Sequence, residues 1–285
     1  MVEFVNRSTV ELIKHNASDI DVARAAWVSN FGEDARERDA GRIEGLINFL
    51  YRERHMSPFE HGSFTFFIDT PIFVAREFMR HRTMSYNEVS GRYKKLDDRV
   101  YVAPYERPLI QTGKVGAYEF VSGSDDQYAM MRARTQQAYD DAFWHYHEMM
   151  DAGVAKEVAR NVLPVGTMTQ FYATVNPRNL MQFLELRNDK HALYEIREVA
   201  VQMEALFKDA MPLTHAAYTK ERDGRHTGEV WQRLYEAEKR EVAKLREKLE
   251  HPAYTLNVKM TDGSDLNTEQ INDLVSRVKR ENGRG

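Results

Sequence analysis

Apolar positions in the first eighty residues switch between a period of two and a period near 3.6. Val10 to Ile13 has strand composition. Behind Ser18 and Asp19, residues Ile20, Ala23, Ala26 and Trp27 recur at helical spacing, which predicts a capped helix. Ile43, Leu46, Ile47 and Leu50 predict a second helix. The stretch His55-Met56-Ser57-Pro58-Phe59-Glu60-His61 reads as a turn-rich link. Ser63 to Asp69 alternates, with Phe64, Phe66 and Ile68 on one face, and predicts a strand. Pro71 can open a helix over Ile72 to Arg80.

Downstream, Pro108, Gly113, Gly116 and Gly123 mark residues 106–126 as a surface insertion. Helices are expected from Gln127 to Met150 and from Val154 to Leu163, the latter stopped by Pro164. Asn176-Pro177 supplies a cap and a first-turn proline for another. The stripe Ile196, Val199, Met203, Leu206 and Phe207 places one over His191 to Phe207. Beyond that the character changes. Glu229 to Glu250 is a highly charged helix whose near-heptad seam is broken by Glu238, so a coiled coil is weakly supported. Tyr254, Leu256, Val258 and Met260 alternate as a strand, Asp262-Gly263 can turn, and Thr268 can cap a last helix. Helices dominate and strands cluster early, and no internal repeat is present.

The chain has 285 residues, 42% of them hydrophobic and 29% charged, enough for a packed core. Forty Lys and Arg against 44 Asp and Glu give a net charge of -4, which argues against a chain built mainly to coat nucleic acid. No apolar run approaches the ~20 residues of a membrane span. The start, MVEFVNRSTVELIK, lacks the basic-then-apolar order of a signal peptide, so a soluble, cytoplasmic protein is expected. With no cysteine, disulfides, thiolate metal sites and cysteine nucleophiles are excluded.

The densest polar segment is Arg80-His81-Arg82-Thr83-Met84-Ser85-Tyr86-Asn87-Glu88-Val89-Ser90-Gly91-Arg92-Tyr93. Guanidinium forks match phosphate oxygens, and Ser90-Gly91-Arg92 adds a hydroxyl and a closely approachable backbone. A phosphate monoester would suit this set. From composition alone, a solvated loop, or arginines paired with Glu77 and Glu88, is the favoured reading, because charged residues are normally exposed. Arg187 lies at i+4 from Phe183 and i+7 from Leu180, so its helix points a guanidinium along the apolar side. Such a cation needs an anionic or carbonyl-rich partner, or a salt bridge to Glu185 or Asp189 of a neighbouring subunit. Arg160 poses the same question less strongly. His55, Glu60 and His61 match no common zinc spacing, His145 and His147 do not face together, and neither GxxxxGK[ST] nor GxGxxG occurs, so no metal site is expected.

Arg80-His81-Arg82, seven residues, then Ser90 resembles the signature of the flavin-dependent thymidylate synthases, and the string RHRTMSYNEVSGRY is very close to that family's pattern. Ala25 to Ser29, His55 to His61, Pro71 to Arg76, Glu157 to Arg160, Thr174 to Arg178 and Leu186-Arg187 follow in the family's order, covering about residues 8–215. The resemblance implies an α+β fold with a central, largely antiparallel sheet flanked by helices. It implies a catalytic domain over residues 1–225 and a helix-strand-helix extension of unknown role over 226–285.

It further implies methylation of dUMP to dTMP, with methylenetetrahydrofolate as carbon donor and FAD, reduced by NADPH, as hydride source. The implied dUMP set is Glu77, Arg80, Glu88, Ser90, Gly91, Arg92 and Arg160. Arg187 is the implied catalytic group against the uracil ring. The implied FAD set is Ser29, His55, Arg80, His81, Arg82, Glu88, Asn176, Arg178 and Gln182, with sites shared among subunits of a homotetramer. Glu77 stands where the family often has glutamine, and would repel a phosphate unless Arg76 or Arg80 neutralises it. Gln182 stands where asparagine or histidine is frequent. A phosphate-binding regulatory protein and a non-catalytic relative are the competing readings.

Overall fold

The computed structural model describes residues 2–38, 41, 43–114, 117–224, 258–259 and 265–266. The chain forms two compact units, Met1–Arg222 and Asp223–Gly285.

In the first unit a four-stranded antiparallel sheet runs in the order β2 (Thr9–His15), β3 (Phe64–Pro71), β8 (Met168–Val175), β4 (Ser85–Glu88). Strands β3 and β8 pair from Phe64 opposite Val175 to Pro71 opposite Met168. The alternation in β3 sends Phe64, Phe66 and Ile68 to one face, where Phe171, Ala173 and Val175 of β8 join them. Helices α2 (Ile43–Arg52), α3 (Ile72–Phe78), α6 (Pro177–Arg187) and α7 (Tyr194–Ala210) supply Ile47, Phe78, Phe183, Val199 and Phe207 to the same core. Each of these phenylalanines, at most 2% exposed, contributes roughly 2–3 kcal/mol by leaving water.

The sheet passes directly into the site. Pro71 ends β3 and caps α3 with extended dihedrals (φ -68, ψ 151), so the helix leaves the strand without a loop. Helix α3 stops at Phe78 rather than Arg80. There the Tyr86 hydroxyl donates to the Phe78 carbonyl at 2.7 Å, with the His81 carbonyl at 3.1 Å, replacing the next turn's amides.

Three expectations need refinement. Strands do lie early in the chain, but the central strand β8 lies late and was not expected. Its polar Thr169, Gln170, Tyr172 and Thr174 hide the alternation of Phe171, Ala173 and Val175. Residues 106–126 are not a plain insertion, because β6 (Ile110–Lys114) and β7 (Ala117–Val121) pair antiparallel within them. The helix expected over Val154–Leu163 is one turn, α5 (Lys156–Ala159), followed by a 3-10 turn at Arg160–Val162, since Pro164 withholds the amide that would extend it.

A smaller core joins Val2, Val100, Phe143, Tyr146 and Ala159 beneath the long helix α4 (Asp125–Asp151). Val100 belongs to β5 (Arg99–Tyr101), which pairs in parallel with β1 (Glu3–Val5). Helix α1 (Asp19–Phe31) opens on Ser18, whose hydroxyl accepts from the Asp21 amide. No helix among the described residues is long and apolar enough to cross a membrane. In the second unit β9 (Val258–Lys259) pairs antiparallel with β10 (Asp265–Leu266). The Asp262-Gly263 turn and the helices expected over 229–250 and from Thr268 lie outside the described residues.

The last helix of the first unit, which begins at residue 212, borrows its cap from α1. The Asp19 carboxylate accepts from the Leu213 and Thr214 amides, both at 2.9 Å, and from the Thr214 hydroxyl at 2.6 Å. Asp19→Ala is expected to cost about 1–2 kcal/mol and to lower the thermal midpoint by on the order of 5 °C. A calorimetric melt checks this, and an unchanged midpoint would discount the cap.

Candidate active site

The predicted site residues fall into three groups within one chain. The first joins the ends of α3 and α6. Arg187, the last residue of α6, has a side chain only 19% exposed. Its Nη1 donates to Glu77 Oε2 at 2.7 Å, Nη2 to the Glu77 carbonyl at 3.3 Å, and Nε to His81 Nε2 at 2.9 Å. The Glu77 charge is therefore met by Arg187, not by Arg76 or Arg80. The Glu77 partner of Arg187 is in its own chain, 110 residues away.

Because Nε can only donate, the His81 ring accepts at Nε2 and carries its proton on Nδ1. The edge of that ring meets Phe183 at 4.9 Å between centroids. Burial, then the Arg187 charge, hold the His81 pKa below the ordinary 6.5, against an opposing pull from Glu77. Burial likewise pushes Tyr86 up to about 12, with Arg187 acting in the opposite sense. Arg80 and Arg82 flank this group, exposed and without an ion pair among the described residues.

The second group lies where β4 ends. The Val89 amide makes the last bond to β8, at Gln170, and the chain then turns tightly, with the Tyr93 and Lys94 amides both donating to the Ser90 carbonyl. The Arg92 amide reaches Ser90 Oγ at 3.3 Å. A Cβ on Gly91 would stand 3.0 Å from Arg160 Cδ and 3.2 Å from Leu96 Cδ1, so any larger residue would push the Arg160 stem back from this loop. Arg92 pairs with Glu157 at 2.9 Å, and Lys156 donates to the Tyr93 carbonyl at 3.2 Å. The single turn α5 thus holds Ser90, Gly91, Arg92 and Arg160 together. The sequence reading did not single out Glu157 for this, although its place one turn before Arg160 was the available signal. Glu88 pairs with no arginine among the described residues and accepts from the Thr169 hydroxyl at 2.6 Å.

The third group surrounds the start of α6. Asn176 caps that helix by accepting from the Asn179 amide at 2.9 Å, and Arg178 forms an ion pair with Glu60. His55 is exposed just past α2. It is presented by a helix end in which Arg54 takes a left-handed φ of 61°, with the Arg54 amide bonded to the Tyr51 carbonyl and the His55 amide to the Leu50 carbonyl. A non-glycine residue held there stores about 1–2 kcal/mol of backbone strain. Ser29, late in α1, and Gln182, on α6, are exposed.

Among the described residues, the three groups stand apart in one chain. Arg178 and Arg187 are nine residues apart on α6, hence about 13 Å along its axis. A cavity of about 510 Å³ lies beside Ser29, lined by Ala25, Val28 and His61. Another, of about 660 Å³, lies between β7 and Lys190 to Tyr194. Neither is lined by Arg80, Arg92, Arg160 or Arg187.

The electrostatics make the first group testable by proton NMR. His81 should titrate below pH 6.5, the ordinary histidine value. Arg187→Ala should raise its midpoint and Glu77→Gln should lower it. With the folded value depressed, the unfolded chain takes up the proton first. The stability from this ring is then full above about pH 6.5 and lost as pH falls through the folded value. A midpoint at 6.5 that ignores both substitutions would contradict the contact.

Comparison with known proteins bears on what this arrangement serves. Residues 11–213 match the family described as thymidylate synthase complementing protein. A flavin-dependent thymidylate synthase from Streptomyces avermitilis is 50% identical over 222 residues, covering 74% of this chain and 90% of its own. One from Tropheryma whipplei is 45% identical, covering 76% and 95%. The crystal structure of a UMP/dUMP methylase, PolB from Streptomyces cacaoi, bound with 5-Br dUMP superposes with a TM-score of 0.73 at 45% identity, covering 77% of this chain and 97% of that one. A match of this extent, running unbroken through all three groups of side chains, means that the chain belongs to the flavin-dependent thymidylate synthase family.

Proposed function

We propose that the protein is a flavin-dependent thymidylate synthase, a methyltransferase that converts dUMP to dTMP. Methylenetetrahydrofolate is the carbon donor, and FAD, reduced by NADPH, is the hydride source. The observation that carries this reading is the Arg187 guanidinium, mostly buried and held by Glu77 and His81 at the head of the arginine-rich segment. A cation fixed in a partly dry site stabilises negative charge that develops on a bound ring.

The division of labour follows from the three groups. The Ser90 hydroxyl, the loop amides, Arg92 and Arg160 bind the 5′-phosphate. Arg92 exchanges one anionic partner, Glu157, for another, and both present paired oxygens to its fork. Arg187 lies against the uracil, where it favours the enolate-like form and makes C5 nucleophilic. Neutral His81 keeps its Nε2 lone pair on Arg187 Nε and so fixes the plane of the guanidinium. Glu77 balances that charge, so the pair costs less to bury than a lone cation. The absence of cysteine leaves no thiolate to attack C6, so activation falls to the bound cation.

The residues present fit a flavin dinucleotide. Arg80 and Arg82 are exposed and without an ion pair among the described residues, as a diphosphate requires, and Asn176, Arg178 and His55 offer further donors. Bound there, the flavin supplies the hydride. We read the working enzyme as a cytoplasmic homotetramer. The separation of the three groups within one chain supports completion of each site across subunit boundaries.

The purified protein should be yellow and should bleach with NADPH in the absence of oxygen. It should release tritium from C5-labelled dUMP only when folate and reductant are both present. UMP belongs in the same assay, since the solved relative is titled a UMP/dUMP methylase. Arg187→Ala should retain the flavin and lose roughly 10²–10³-fold in kcat. Turnover near the parent value in that variant removes Arg187 from the chemistry. Arg92→Ala should raise the KM for dUMP about tenfold or more with a smaller change in kcat. An unchanged KM would remove Arg92 from phosphate binding.

A further inference from the structure

The residue after Arg187 is tied into a buried polar network that the reaction does not use. Asn188 closes α6, its amide donating to the Leu184 carbonyl at 2.8 Å. Its side-chain Nδ2 donates to Glu204 Oε2 at 2.5 Å. Glu204 sits on α7 and is 9% exposed. Its other oxygen, Oε1, meets His215 Nε2 at 3.1 Å and Arg222 Nη1 at 3.0 Å. Arg222 in turn donates to the Tyr218 hydroxyl at 3.2 Å. A buried carboxylate of this kind is costly unless every oxygen is occupied, and here both are.

The geometry has a direction. Helix α7 is anchored to the sheet, since Gln202 accepts from the Val10 amide at 3.2 Å and donates to the Ser8 carbonyl at 3.1 Å. Glu204, two residues on, therefore stands on a fixed platform. Through Asn188 it grips the end of α6, and the Arg187 side chain leaves the backbone one residue earlier. Helix ends fray unless their last turn is held. Without the grip, α6 could end a residue sooner and move the guanidinium away from Glu77 and His81.

We propose that Glu204 is a positioning residue for Arg187, acting through the Asn188 side chain. This rests on the reading of Arg187 as the catalytic group. Arg222 and His215 serve the same end by keeping the Glu204 carboxylate aimed at Asn188.

Asn188→Ala tests the link directly, because it removes one hydrogen bond and leaves Glu204 with His215 and Arg222. Ser124→Ala serves as the control, losing the cap of α4 and no contact of α6, α7 or the helix that carries His215 and Arg222. Each variant is assayed for kcat, KM for dUMP, melting midpoint and the His81 titration. If Glu204 positions Arg187, Asn188→Ala lowers kcat roughly ten- to a hundredfold with little change in KM. It also moves the His81 midpoint up towards that of Arg187→Ala. Glu204→Gln, which still offers Asn188 an acceptor, retains more of kcat than Glu204→Ala. The control loses stability but keeps kcat and the His81 midpoint. An Asn188→Ala protein whose His81 midpoint is unmoved overturns the proposal. If Arg187→Ala proves active, the catalytic reading falls, and the His81 titration alone still decides whether Glu204 places the guanidinium.

Discussion

A guanidinium four-fifths removed from solvent at the end of a helix imposes conditions on everything around it. It keeps its proton, so its charge must be answered. The answer comes from Glu77 on α3 and from an imidazole held neutral beside it. These three side chains meet only because β3 runs without a loop into α3 and because α6 starts immediately after β8. Strands β3 and β8 are neighbours along their whole length, so the helices that follow them are brought to one side of the sheet. The pair of central strands is thus the frame on which the charged cluster hangs.

Glu77 acquires a specific meaning in this frame. A carboxylate beside a phosphate-binding arginine loop looks unfavourable as a local feature. In the fold it faces Arg187, and its charge reduces the cost of keeping that arginine partly dry. The loop after β4, by contrast, meets Arg160 of the 3-10 turn that follows α5, at the close approach of Gly91. Arg187 is satisfied by an internal acid and held still. Arg92 rests on the exposed Glu157, a pairing that solvent weakens. The difference in burial separates the fixed cation from the loosely held one.

The polar scaffolding outside the site is arranged to the same end. Asp19 caps a helix nearly two hundred residues away, and Glu204 binds the residue after Arg187. Both are carboxylates whose two oxygens accept from donors on other elements. They fix the relative positions of α1, α6, α7 and the last helix, which apolar contacts alone constrain less sharply. Left-handed Arg54 does comparable work at His55, with strain in the backbone where other helices use glycine.

Much of this was readable before any coordinates. Periodicity located β3, α2 and α7, because each buries one continuous apolar stripe, and the Ser18 cap marked the start of α1. The cap and proline at Asn176-Pro177 placed the start of α6, since those residue types answer the needs of a helix terminus. The arginine-rich string indicated both the family and the chemistry. What local pattern left hidden was β8, whose alternation is covered by threonine and glutamine on its second face, and the hairpin within residues 106–126. Pairings were hidden for a different reason. Glu77 with Arg187, Arg92 with Glu157 and Asn188 with Glu204 join segments whose separation along the chain carries no record of their distance in space. Residue type and spacing determine which groups can be charged, capped or buried. Only the packing of helices on a shared sheet decides which acid each arginine meets, because that choice depends on strand order and helix ends rather than on any neighbour in the sequence.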